Sequence, residues 1–143
     1  MRIADILKAK PDATVITIGP DAGVRELLAL LAEHNVGALI VSSDGESLDG
    51  IVSERDVVRS LHRDPAVLDS PVAGIMTSSV HTCEPSASVD ELMALMTEHR
   101  FRHVPVVTEG RLSGIISIGD VVKSRMAELE FERDQLDSYV HRT

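Results

Sequence analysis

Two stretches of this chain combine residue types suited to a phosphorylated sugar at a spacing that presents them together. They are Gly50-Ile-Val-Ser-Glu-Arg-Asp56 and Gly114-Ile-Ile-Ser-Ile-Gly-Asp120. Each reads as the end of an apolar strand, a serine, two variable positions, and an aspartate in the first turn of a helix. The free N–H groups and dipole of a helix start favour an anion such as phosphate. Ser53 and Ser117 carry hydroxyls able to donate to a phosphate oxygen. Asp56 and Asp120 carry carboxylates able to accept from both hydroxyls of a ribose. Arg55, at the mouth of the first motif, adds a planar and permanently charged donor. The same Ser-x-x-Asp spacing is also a capping box, which stabilises a helix by about 0.5–2 kcal/mol whether or not a ligand binds.

The elements around these motifs occur twice. An offset of 65 places Val15 on Val80, Pro20 on Pro85 and Glu33-His34 on Glu98-His99. After one deletion the offset is 64, and Gly50, Ser53, Asp56 and Val57 fall on Gly114, Ser117, Asp120 and Val121. The lead-ins Ile3-Ala-Asp-Ile-Leu7 and Val72-Ala-Gly-Ile-Met76 echo each other. One structural unit is therefore built twice. Each copy opens on a β-prone run, Val15–Ile18 or Val80–Cys83. A helix follows, with apolar residues at helical spacing: Val24, Leu27, Leu28 and Leu31, or Val89, Leu92, Met93 and Met96. Asp21 is the expected N-cap of the first helix and Ser88, with Glu91, that of the second. Then come a strand (Ala38–Val41 or His103–Val107), a turn at Asp44-Gly45 or Glu109-Gly110, and a strand (Gly50–Val52 or Gly114–Ile116). A helix begins near Ser53 or Ser117.

The expected fold class is α+β, with two β-α-β-β-α repeats packed around a pseudo-two-fold axis and a long C-terminal helix. The expected division is 1–64, 65–124 and 125–143. Residues of about 60–75 join the copies, with Pro65 and Pro71 as breakers. In the tail, Val122, Met126, Leu129, Leu136 and Val140 form one helical stripe with Arg133 in its gap. Such a stripe either folds back on its own half or contacts a second subunit.

The doubled Gly-h-h-Ser-x-x-Asp motif, the lead-in Ile3-x-x-Ile6-Leu7 and the strand His103-Val-Pro-Val106 resemble a pair of CBS domains (cystathionine β-synthase domains), or Bateman module. The resemblance covers nearly the whole chain and implies a stand-alone CBS-pair protein of bacterial type. It implies a non-enzymatic adenine-nucleotide sensor with ligand in the cleft between the copies. AMP is the first expectation, with ATP, ADP, NAD and S-adenosylmethionine as alternatives. A homodimer and a regulated protein partner are implied too. Carried over by position, Asp56 and Asp120 hold ribose hydroxyls, and Ser53 and Ser117 meet phosphate or ribose oxygen. Arg102 and His103 face phosphate. Thr17-Ile18-Gly19 and Thr82-Cys83-Glu84 offer backbone groups to a base edge. Ala38, Val52, Val104, Pro105 and Ile116 complete the site around the base. The copies differ: Ile40 stands against Pro105, Gly37-Ala38 against Arg102-His103, and Arg55 against Gly119. Unequal sites are therefore expected. The competing reading is an interaction module in which both motifs only cap helices.

Composition excludes several classes. The chain has 143 residues, 43% hydrophobic and 26% charged, with a formal charge of −9. A surface that acidic repels nucleic acid and anionic lipid. Only 2% of residues are aromatic, too few for a base-stacking platform along single strands. Cys83 is the only cysteine, which fits a reducing, cytoplasmic setting. The amino terminus has no signal or anchor pattern, and no apolar run approaches a membrane span. No metal set is expected, because a strand separates His99 from His103. No phosphate-binding Gly-rich loop and no catalytic set occur.

Overall fold

The computed structural model describes residues 1–10 and 14–141. Arg142 and Thr143, the end of the expected C-terminal segment, lie outside the described residues. The elements run α1 (Ile3–Ala9), β1 (Thr17–Ile18), α2 (Val24–His34), β2 (Ala38–Val41), β3 (Gly50–Ser53) and α3 (Glu54–Arg63). Two 3-10 turns, Pro65–Asp69 and Val72–Gly74, lead to α4 (Val89–His99), β4 (His103–Thr108), β5 (Arg111–Ser117) and α5 (Ile118–His141). The mixed α+β repeat is as the periodicity implies.

In the first half, β1 pairs parallel with β2, and β2 pairs antiparallel with β3. In the second, β4 and β5 form a hairpin. Its turn residues Glu109 and Gly110 both have positive φ (51° and 80°), as a two-residue hairpin turn requires. The expected first strand of the second copy shrinks to one bridge, Cys83 to Val106. Pro105 is the reason. The N–H of Cys83 donates to the Pro105 carbonyl and the N–H of Val107 to the Cys83 carbonyl. The ladder would next need a donor at position 105, and proline has none. Ile40, its counterpart, has that N–H, and β1 forms, though over two residues rather than four.

Each half has its own apolar core, and each core is completed by the stretch that precedes the other half. Ile3 and Ile6 of α1 are buried with Val89, Leu92, Met96, Val104, Ile116 and Val121 of the second copy. Val72 is buried with Val24, Leu27, Leu39, Val52 and Val57 of the first. Full burial of one such side chain contributes about 1.5–3 kcal/mol. The exchange is reciprocal in detail. A Cβ on Gly114 would come within 2.7 Å of Leu7, and one on Gly50 within 2.8 Å of Met76. The matched glycines of the two strands leave room for the matched ends of the two lead-ins.

Several local expectations are corrected. The N-cap of α2 is Gly23, not Asp21, and no side chain caps it. The carbonyl of Ser70 accepts from Val24 N–H instead, because the linker runs alongside. Ser88 does cap α4 by accepting from Glu91 N–H. Leu28 and Met93 sit at the edge of their helical stripes and are more than a third exposed. The joining segment remains helical to Arg63 before Pro65 opens the first 3-10 turn. Along α5, Val121 enters the core, whereas every described residue from Leu129 onward is exposed.

Candidate functional site

Both Ser-x-x-Asp motifs start a helix. Ser53 N–H donates to Asp56 Oδ2 at 2.8 Å, the Ser53 hydroxyl to the same oxygen at 3.1 Å, and Asp56 N–H to Ser53 Oγ at 3.3 Å. Ser117 N–H donates to Asp120 Oδ2 at 2.9 Å, and Asp120 N–H to Ser117 Oγ at 3.1 Å. Capping is thus present in both copies. It occupies one carboxylate oxygen and leaves Asp56 Oδ1 without a hydrogen bond among the described residues.

The first motif opens onto a cleft of about 450 Å³ between the halves. Its floor is Gly37, Ala38, Ile51 and Ser53, with Glu54, Arg55 and Asp56 at the start of α3 and Arg59 one turn further along it. The opposite wall comes from the second copy: Thr77, Ser79, Val80, His81, and the run His99 to His103. Cationic and imidazole side chains dominate this lining, in a chain of net charge −9. Arg55, Arg59, Arg100 and Arg102 are set against only Glu54 and Asp56. Arg100 ends α4 in the left-handed region, with φ 58°. That conformation costs a non-glycine residue about 1–2 kcal/mol, and here it lies at the cleft wall.

Three rings form a stacked face in this wall. His81 and His99 have centroids 4.8 Å apart at 29°, and His99 and Phe101 5.3 Å apart at 12°. His81 also lies 4.9 Å from Phe101. An outer ring of such a cluster can take a flat heteroaromatic ligand against its free side. Sequence reasoning missed His81, Arg59, Arg100 and Phe101 as site residues, and weighed His99 as a metal ligand, not as part of a cleft. They come from separate segments with no motif spacing. The available signal was the match of His99 with His34, each closing the helix before its strand.

Of the expected site residues, Ala38, Ser53, Arg55, Asp56, Arg102 and His103 meet in this cleft. Ile18, Val52, Val104 and Ile116 do not; they are buried in the cores of their own halves. Strand alternation turns them inward and leaves Ala38, Ser53 and His103 facing the other half. Pro105 is buried beside Cys83. Thr82, Cys83 and Glu84 line a separate shallow groove with Ile3 and Leu92, and Thr17 and Gly19 are not in the cleft lining. Burial pushes the Cys83 thiol up to about 11, so it is not a nucleophile at neutral pH.

Around the second motif a lysine takes part. Lys10 Nζ donates to Asp120 Oδ2 at 3.1 Å and to the Ile115 carbonyl at 3.0 Å. Burial pushes the Asp120 carboxyl up, but the Ser117 N–H and Lys10 outweigh it, and its pKa falls below the ordinary carboxylate value. Asp56 has no such ion pair among the described residues. His103 lies near both motifs. Burial lowers its pKa, Asp120 and Glu54 pull it back up, Arg102 and Lys10 push it down, and the net effect is a decrease. No group of three or more metal-ligating side chains occurs among the described residues, and no described helix is long and apolar enough to cross a membrane.

Two repeats of one tandem pair share this basic, ring-walled cleft at a helix start. The CBS domain model matches residues 3–63 and 72–127, and the chain belongs to that family. A mitochondrial CBS domain-containing protein of Arabidopsis thaliana, CBSX3, is 34% identical over 96% of this chain and 71% of its own length. The solved structure of a putative signal-transduction protein with CBS domains from Burkholderia ambifaria is 48% identical, with a TM-score of 0.84 over 89% of this chain and 95% of that one. Two more distant solved structures carry ligands. CBSX2 in complex with AMP is 27% identical (TM-score 0.73, 88% of this chain and 96% of that one). The CBS pair of MJ0100 with 5-methylthioadenosine and S-adenosylmethionine is 26% identical (TM-score 0.78, 90% and 98%).

Proposed function

We propose that this chain is a non-enzymatic regulatory protein that binds an adenine nucleotide in the cleft between its two repeats. The observation that carries the reading is the union in one cleft of the Ser53–Asp56 helix start with the basic and ring-bearing wall of the other half. Asp56 holds the ribose through its unoccupied oxygen, Arg55, Arg59 and Arg102 meet phosphate, and the base stacks against the His81–His99–Phe101 face. AMP is the first ligand to test, with ATP, ADP, NAD and S-adenosylmethionine as alternatives. A relative that binds AMP and another that binds S-adenosylmethionine support this class of ligand. Because the cleft spans both halves, a ligand shifts their relative position by as much as it prefers one arrangement. That shift is the signal to a regulated protein.

The test is thermal melting with each nucleotide in turn. A ligand at 100 times its dissociation constant adds about 2.7 kcal/mol. The rise should vanish in Asp56→Asn, which keeps the cap. If none of the nucleotides moves the melt, both motifs are helix caps and the interaction-module reading replaces this one.

The working unit is a homodimer. Counting Arg133, the stripe from Val122 to Val140 alternates steps of four and three, the spacing of a two-stranded coiled coil with one charged position in its seam. Leu129 is 56% and Leu136 65% exposed in the single chain. A second copy supplies the matching stripe.

A further inference from the structure

The two motifs match in sequence but not in occupancy. In the first half, the Ile51 carbonyl in β3 accepts from Thr77 N–H at 2.9 Å. In the second half, the equivalent carbonyl of Ile115 accepts from Lys10 Nζ at 3.0 Å. The same amine holds Asp120 at 3.1 Å. Lys10 therefore bridges the strand and the helix start of the second motif. About three quarters of both the Lys10 and the Asp120 side chain is shielded from water. In the first motif a backbone group satisfies the carbonyl and no cationic side chain among the described residues bonds the aspartate, so Asp56 faces an open cleft.

We infer that Lys10 is a built-in occupant of the second half-site, and that it restricts the chain to one nucleotide. The inference rests on the nucleotide reading above. A ribose diol binds a carboxylate by donating two hydroxyls to it. At Asp56 that carboxylate is available. At Asp120 the Lys10 ammonium shares Oδ2 with the Ser117 N–H, so Oδ1 is as free as at Asp56; what differs is a full positive charge already seated against the carboxylate. A ribose approaching that carboxylate meets the ammonium group between the strand and the helix start, and moving it aside leaves the Ile115 carbonyl without its donor. Ligand selection between the halves thus follows from a residue outside both motifs, carried by the lead-in exchange to the half in which it acts.

Titration calorimetry with AMP tests this. The wild-type chain should bind one AMP. Lys10→Ala, and Lys10→Met with its aliphatic stem kept, should each bind two, whereas Lys10→Arg should bind one. Adding Asp56→Asn to Lys10→Met should remove the first event and leave the second. Two equal events in the wild type overturn the inference, as does a single event in folded Lys10→Met; in both cases the nucleotide reading stands. Absence of heat and of a melting shift in every variant overturns both readings together.

Discussion

The carbonyl of Thr77 stands 2.8 Å from where a Cβ on Gly50 would lie. Thr77 is held there by the two backbone hydrogen bonds, each 2.9 Å, that it exchanges with Ile51. The segment entering the second repeat is in this way tied to the floor of the cleft. Gly50→Ala must push that segment off, because a backbone carbonyl cannot rotate away as a side chain can. Gly114→Ala meets only the end of the Leu7 side chain. Urea unfolding should show Gly50→Ala less stable by about 1–3 kcal/mol, and Gly114→Ala at or below the low end of that range. Equal losses would mean that the Thr77 pairing is not rigid.

Arg55 has no counterpart in the second copy, where Gly119 stands. Arg55→Ala should weaken ATP and ADP about 10- to 100-fold, the weight of one charge-assisted hydrogen bond, and AMP less. Calorimetry with the three nucleotides reads this directly. Equal losses would put Arg55 on the first phosphate, and no loss would leave it outside the ligand contacts.

The His103 pKa is lowered in the folded chain, chiefly by burial. The unfolded chain takes up this proton near pH 6.5 and the folded chain resists it. The stability tied to neutral His103 is therefore present above pH 6.5 and is lost as pH falls from there toward the folded value. Comparing wild type with His103→Gln at pH 7.5 and pH 5.5 isolates it. The wild type should lose more stability on acidification than the variant. The opposite order would mean that Asp120 and Glu54 outweigh burial.

The stripe on α5 predicts association. Leu129→Glu with Leu136→Glu should convert a sedimenting dimer to monomer and lower the helix signal, since an unpaired helical segment of this length is marginal in water. Wild-type protein sedimenting as a monomer at micromolar concentration would contradict it.

Much of this architecture was legible in the sequence because it is written twice. Periodicity located α2 and α4, the serine and aspartate of each motif marked where α3 and α5 begin, and α1 was not read as a helix. The strand alternation was legible too, yet the resemblance alone put Val52, Val104 and Ile116 around the base. With Ser53 and His103 facing the cleft, a period of two already sends Val52 and Val104 to the core. The ring face was not legible, because His81 and Phe101 are adjacent only after a helix and a turn bring them together. Lys10 was not legible either. Its partner lies 110 positions away, and only the crossed docking of α1 brings them into contact.

That crossed docking also orders events during synthesis. The α1 segment leaves the ribosome before either repeat, but the core that receives Ile3 and Ile6 is built from residues 89 to 121. The first half, by contrast, finds its own missing piece as soon as Val72 emerges. Nascent chains should therefore carry a closed first half and a waiting amino-terminal segment until the second half is almost complete. Contacts this distant in sequence slow folding. A bulky group attached beside α1 would disturb the second repeat, not the first repeat that follows it in sequence.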